Sequence, residues 1–141
     1  MLIAGTQITM ADGSTKNVED VQENDILKGY DSNNDDTTVT VQRRILGGCN
    51  QYRFINSRIK ITSEQLVLVQ IQINRGSAFP PATYEKLLDV KNLQVGDNLV
   101  KSDGTTETVT SITTVDGPNP TLNFEIDGNE LYIVEGVVVQ S

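Results

Sequence analysis

The chain has 141 residues, enough to bury a core of its own, and sets 19 acidic side chains against 11 basic ones for a formal charge of −8. That balance argues against a duplex nucleic-acid binder, which needs a basic face to neutralise phosphates, and against anionic membrane surfaces. Histidine is absent and Cys49 is the lone cysteine, so a structural zinc site is excluded and no internal disulfide can form.

Val, Ile and Thr dominate the apolar and half-polar content, which favours strands. No stretch approaches the length of a membrane-spanning helix, and no basic segment followed by an apolar run marks a signal peptide. The compartment is left open. No cofactor motif is present.

In chain order, Thr6–Met10 alternates as a half-buried strand and ends in an Asp12-Gly13 turn. Val18–Val21 reads as a single capped turn, followed by a strand from Asp25. The segment Val21-Gln-Glu-Asn-Asp25-Ile-Leu27-Lys-Gly-Tyr-Asp31 returns 72 residues later as Leu93-Gln-Val-Gly-Asp97-Asn-Leu99-Val-Lys-Ser-Asp103. One repetition at half the chain length implies a duplicated half-domain, roughly 1–72 and 73–141, within a single domain.

Asp31, Asn33 and Asp35 have the spacing of a calcium loop, but Asp36 stands where glycine is needed and Gln42 where glutamate is needed. A solvated turn is expected there. Thr37–Leu46 is expected as a strand broken by Gly47-Gly48, with Cys49 a bystander thiol because no imidazole can activate it. Gln51–Asn56 and Arg58–Thr62 form two strands about Asn56-Ser57, and Leu66–Ile73 a central strand. Asn74–Thr83, with Phe79 and a Pro80-Pro81 pair, is a loop.

Tyr84–Val90 is expected as a short helix, Asp97–Lys101 and Glu107–Val115 as strands, and Asp116–Pro120 as a loop. Thr121–Ile126, an Asp127-Gly128 turn, Leu131–Val134 and Gly136–Gln140 close the chain. About ten short strands with almost no helix make an all-β fold.

Several of these pieces together resemble the hedgehog/intein (Hint) family. Met1-Leu-Ile-Ala-Gly-Thr6 resembles its opening Cys-Phe-x-Ala-Gly-Thr. Asp12-Gly13-Ser14, then Val18-Glu-Asp-Val21 and Asp25, resemble its DG turn, Ile-Glu-x-Ile and Gly-Asp elements. Ile61-Thr62-Ser-Glu-Gln65 with the strand after it resembles the central Thr-x-x-His motif, and Leu93-Gln-Val-Gly-Asp97 the second Gly-Asp element. Leu131-Tyr-Ile-Val-Glu-Gly-Val-Val-Val-Gln-Ser141 resembles the closing Tyr-Phe-x-x-Gly-x-x-Val-His-Asn. The resemblance implies a pseudo-twofold, horseshoe-like all-β fold that brings both chain ends to one site, where family members splice or cleave themselves.

The family's reactive positions fall on Met1, Thr62, Gln65, Glu130, Gln140 and Ser141. Met1 replaces the first-residue nucleophile, and a thioether has no proton to lose. Gln65 replaces the histidine that assists the acyl shift; Gln140 and Glu130 replace two more histidines, and Ser141 the cyclising asparagine. In another register Gln140 is the terminal residue, able to cyclise, and Ser141 is the downstream nucleophile. If Met1 is the initiator, no upstream segment exists to be transferred.

The resemblance therefore implies a vestigial site in a structural or protein-binding module of a larger assembly, a virion component among the settings. Its partners would be protein, including a second copy of itself, with no nucleic acid and no membrane. The alternatives are an autoprocessing domain in inactivated form and a β-rich domain unrelated to Hint. The contact sites expected for the module are the Gly47–Asn50 bend and the Asn74–Thr83 loop, with Phe79 as an aromatic anchor.

Overall fold

A computed structural model describes residues 1–33, 36–74, 76, 79–80, 82–127 and 130–141. Among them are thirteen strands: β1 (Leu2–Ile3), β2 (Gln7–Thr9), β3 (Thr15–Asn17), β4 (Ile26–Lys28), β5 (Thr38–Ile55), β6 (Ile59–Ile61), β7 (Leu66–Ile73), β8 (Ala82–Asp89), β9 (Asn98–Val100), β10 (Thr106–Thr108), β11 (Ile112–Ile126), β12 (Leu131–Val134) and β13 (Val137–Gln140). The helical elements are two single 3-10 turns, Val18–Asp20 and Val90–Asn92. None of the described helices is long and apolar enough to cross a membrane.

The repeat in the sequence is a repeat in hydrogen bonds. After the first 3-10 turn, the Asp25 carboxylate accepts the Gln22 amide at 2.9 Å; after the second, Asp97 accepts the Gln94 amide at 2.8 Å. The Asn24 amide bonds the Val41 carbonyl at 2.7 Å, and the Gly96 amide bonds Val109 at 2.8 Å. Asp25 and Asp97 thus close the same turn twice, and Leu27 and Leu99 bury behind it. Asn24 and Gly96 share a positive φ, 70° and 100°, which glycine adopts freely and asparagine tolerates.

Two sheets curl around the core, with strand orders β11-β1-β6-β5-β4 and β10-β9-β7-β13-β12-β2-β3. The two long strands, β5 and β11, pair with each other from Ile55↔Ile112 to Val41↔Ile126. Leu2, Ile8, Leu27, Ile61, Val69, Leu99, Phe124 and Val139 share the main core, and a second cluster of Tyr30, Leu68, Val100, Ile133 and Val138 lies apart from it. Burying one such aliphatic side chain contributes about 1.5–3 kcal/mol.

Three expectations are corrected. Gly47-Gly48 does not break the strand, because both residues stay in register, opposite Thr121 and Pro120. Glycine serves there as clearance: a Cβ on Gly47 would sit 2.9 Å from Met1 Cε and 3.1 Å from Thr121 Oγ1. Asp116–Pro120 is likewise strand and not loop, its surplus residues taken up by a register shift between Asp116 and Asn119 with Gly117 at φ 125°. Tyr84–Val90 is not a helix: β8 pairs with β7 along its whole length. Leu87 and Leu88 point to opposite faces, each half-buried against a different cluster, so adjacent apolar residues break the alternation that marks a strand.

Ala82 and Thr83, expected in the loop, open β8 and pair with Ile73 and Gln72; the Asn56-Ser57 turn falls as expected, with φ of 52° and 54°. Glu107–Val115 divides between β10 and β11. Of the calcium spacing, Asp35 lies outside the described residues, and Asp31 accepts the Asn33 amide at 2.9 Å as a turn aspartate does. Gly128 of the Asp127-Gly128 turn and residues 75, 77, 78 and 81 of the expected loop are also outside the description. Phe79 is 63% exposed.

Tyr132 packs edge-on against Phe124, ring centroids 6.0 Å apart, and its hydroxyl has no hydrogen-bond partner among the described residues. Tyr132→Phe removes that orphaned group and should raise stability by about 1 kcal/mol in urea unfolding. Phe124→Ala, which opens a cavity, should cost about 3–5 kcal/mol. A destabilised Tyr132→Phe would show that the hydroxyl is paired.

Candidate functional site

Five strands converge where the chain ends meet. β1 pairs Leu2 with Ile61 of β6 and with Leu122 of β11, which places Met1 beside the β6–β7 connection. β13 pairs Gln140 with Leu66 at the start of β7. Between them lies a pocket of about 250 Å³ lined by Met1, Glu64, Gln65, Leu66, Asn123, Gln140 and Ser141.

Gln65, only 5% exposed, joins the two ends. The Met1 nitrogen donates to Gln65 Oε1 at 2.7 Å and to Thr62 Oγ1 at 2.7 Å. On its other side, Gln65 Nε2 donates to the Gln140 carbonyl. The Gln140 carbonyl fixes the orientation of the carboxamide: it can only accept, so it takes Nε2 and leaves Oε1 to the Met1 nitrogen. Thr62 is also buried, and its amide returns a bond to the Met1 carbonyl at 3.0 Å.

Of the positions aligned with the family motifs, Met1, Thr62, Gln65, Gln140 and Ser141 come together. Glu130 is the exception: its exposed side chain does not line the pocket, though its carbonyl accepts the Ser141 amide at 2.9 Å. Asn123 is the residue that the sequence reading missed. Its Oδ1 is buried without a hydrogen-bond partner among the described residues, at the pocket wall. The available signal was a polar side chain between Leu122 and Phe124, both buried, in the middle of a strand.

The ionisable groups at the pocket are the Met1 amine and the Glu64 carboxyl. Burial pushes the Met1 amine down to about 6, against the opposing pull of Glu64 and Cys49. The Glu64 carboxyl is held below its ordinary value by its own amide first, then by the Ser63 and Thr62 hydroxyls and the Met1 charge. The Met1 side chain lies over Gly47, with Thr121 Oγ1 3.4 Å from its sulfur. The arrangement can hold and polarise a carbonyl at Gln140. A carboxamide cannot shuttle a proton near neutrality, and the first residue offers no thiol or hydroxyl.

No protein-family model matches the sequence, and no curated protein is similar to it. Solved structures are. The intein-like domain from Clostridium thermocellum matches with a TM-score of 0.79 at 21% identity, over 99% of this chain and 96% of that one. The gp41-1 intein matches at 0.73 and 14% identity, over 99% and 97% of the two chains. A DnaB intein from Synechocystis matches at 0.72 and 16% identity, over 99% and 96%.

The fold is therefore that of the inteins and intein-like domains. It extends over nearly the whole of this chain.

With Met1 as a free terminus, its amine gives a sign-definite pH dependence. The folded value, about 6, lies below the amine's ordinary value of 8.0, so between them the unfolded state binds more protons and stability rises with pH. Unfolding free energy should increase by roughly 1.5 kcal/mol from pH 5.5 to 7.5, a window in which no histidine competes. Extending the chain before Met1 should flatten the rise, and urea titrations at each pH check both.

Proposed function

We propose that this is an intein-like domain without splicing chemistry, acting as a structural or protein-binding module within a larger assembly. One observation carries the reading: the residue that bridges the two ends is a carboxamide, Gln65, bound on both sides by groups it cannot relay protons between. Met1 presents a thioether where a splicing domain needs a nucleophile, and Gln140 and Ser141 stand where its closing histidine and asparagine would. The acidic surface, at formal charge −8, favours neutral or basic protein partners.

A second reading has its own support. The Gln65 Nε2 donor on the Gln140 carbonyl would polarise the Gln140–Ser141 amide during attack by the Gln140 side chain. This reading makes the domain a one-ended cleaving element, with Asn123 beside the leaving group.

The test is intact-mass measurement of the domain carrying a reporter segment at each end, followed over days at neutral pH. Both segments should remain attached. Loss of the downstream segment alone would establish the second reading, and loss of the upstream segment would overturn the inactive assignment. The combined variant Met1→Cys, Gln65→His, Gln140→His and Ser141→Asn should release part of the upstream segment, because fold and strand register are retained.

A further inference from the structure

The ladder of β8 leaves one side open. Its residues pair with β7 from Leu66↔Asp89 to Ile73↔Ala82, and with no other strand among the described residues. The bond from the Val90 amide to the Gln65 carbonyl, 3.0 Å, fixes the phase of the ladder. Residues Ala82, Tyr84, Lys86 and Leu88 then exchange hydrogen bonds with β7, so the backbone groups of Thr83, Glu85 and Leu87 point outward. Such an edge is a template for one more strand.

The two faces beside this edge differ in chemistry. On the face of Thr83, Glu85 and Leu87 lies a groove of about 400 Å³ whose lining includes Tyr30, Gln70, Glu85 and Asp103. The Tyr30 hydroxyl donates to the Glu85 carboxylate, which anchors the groove wall. Asp31 and Asp36 line the adjoining hollow with Tyr30, Asp103 and Lys28. Across the two hollows, four carboxylates (Asp31, Asp36, Glu85 and Asp103) face one ammonium, Lys28.

On the opposite face the apolar alternation of β7 runs past the core. Val67 and Val69 are buried, but Ile73 is 46% exposed, and Tyr84, across the ladder from Ile71, is 45% exposed. Lys86 stands on this face too, where it repels a basic neighbour.

Resting on the binding-module reading, we infer that the outer edge of β8 docks an extended segment of a partner protein, with basic residues alternating with apolar ones. Added as a strand, it would satisfy the outward groups of Thr83, Glu85 and Leu87. Its basic side chains would reach the acidic groove while its apolar ones cover Tyr84 and Ile73. A second copy of this chain fits poorly. Antiparallel pairing about a twofold normal to the sheet keeps each face with its own kind, setting Glu85 and its groove against their duplicates.

The probe is a capped seven-residue peptide alternating Lys and Val, added to the labelled domain at low salt. Amide exchange at Thr83, Glu85 and Leu87 should slow about tenfold, and Asp103→Asn should weaken binding about threefold. An alternating Glu and Val peptide should not bind, nor should the Lys peptide N-methylated at every backbone nitrogen, which leaves neither edge able to pair. Equal binding by the methylated peptide would reduce the contact to charge alone and overturn the proposal, as would absence of protection at the three amides. Peptide failure with both reporter segments still attached removes this edge site and leaves the inactive-domain reading standing. Segment loss removes that reading whatever the peptide does.

Discussion

The hydrogen bonds of the Gln65 carboxamide are the constraint around which the site is arranged. A chain of this length has no intrinsic reason to bring its first and last residues together, and doing so costs entropy. Here the cost is shared by sheet pairing: β1 is held between β6 and β11, and β13 between β12 and β7. Gln65 then fills the gap with one side chain that accepts from Met1 and donates to Gln140. A histidine could make similar contacts and also move a proton; glutamine makes the contacts only. At this position the carboxamide ties the two ends together and passes no proton between them.

The parts of the fold visible in the sequence are those encoded locally and twice. The Asp25 and Asp97 turns were legible because an aspartate must accept the amide three residues earlier, and both copies show it. The Asn56-Ser57 hairpin and the alternation of Leu66–Ile73 were legible for similar reasons, since turn chemistry and period-2 patterning need no distant partner. The positions of Met1, Thr62, Gln65, Gln140 and Ser141 could be read only from the order of motifs along the chain, and they do converge.

What escaped the sequence depends on partners far along the chain. Gly47-Gly48 and the two prolines around Asn119 look like breakers in isolation. Within the ribbon of β5 and β11, glycine faces Thr121 and proline, and a bulge absorbs the surplus. Tyr84–Val90 has helix-compatible composition, and only the existence of β7 beside it decides for strand. Asn123 looks like an ordinary polar residue until Leu2↔Leu122 pairing sets it next to the chain ends. Glu130 followed the motif alignment, yet its side chain is turned to solvent and only its backbone serves the site.

The arrangement also divides the molecule's chemistry. The end-joining pocket, about 250 Å³, has Glu64 as its one carboxylate side chain, whereas the hollows around Tyr30 are lined by Asp31, Asp36, Glu85 and Asp103. The claim that Gln65 is a fixed clamp is tested most directly by hydrogen exchange of its side-chain amide protons, followed by NMR from pH 5.5 to 8. Exchange should be slowed far below that of an exposed glutamine, with the two protons kept distinct across the range. Fast, solvent-like exchange would mean that the carboxamide does not hold the chain ends, and would contradict that claim.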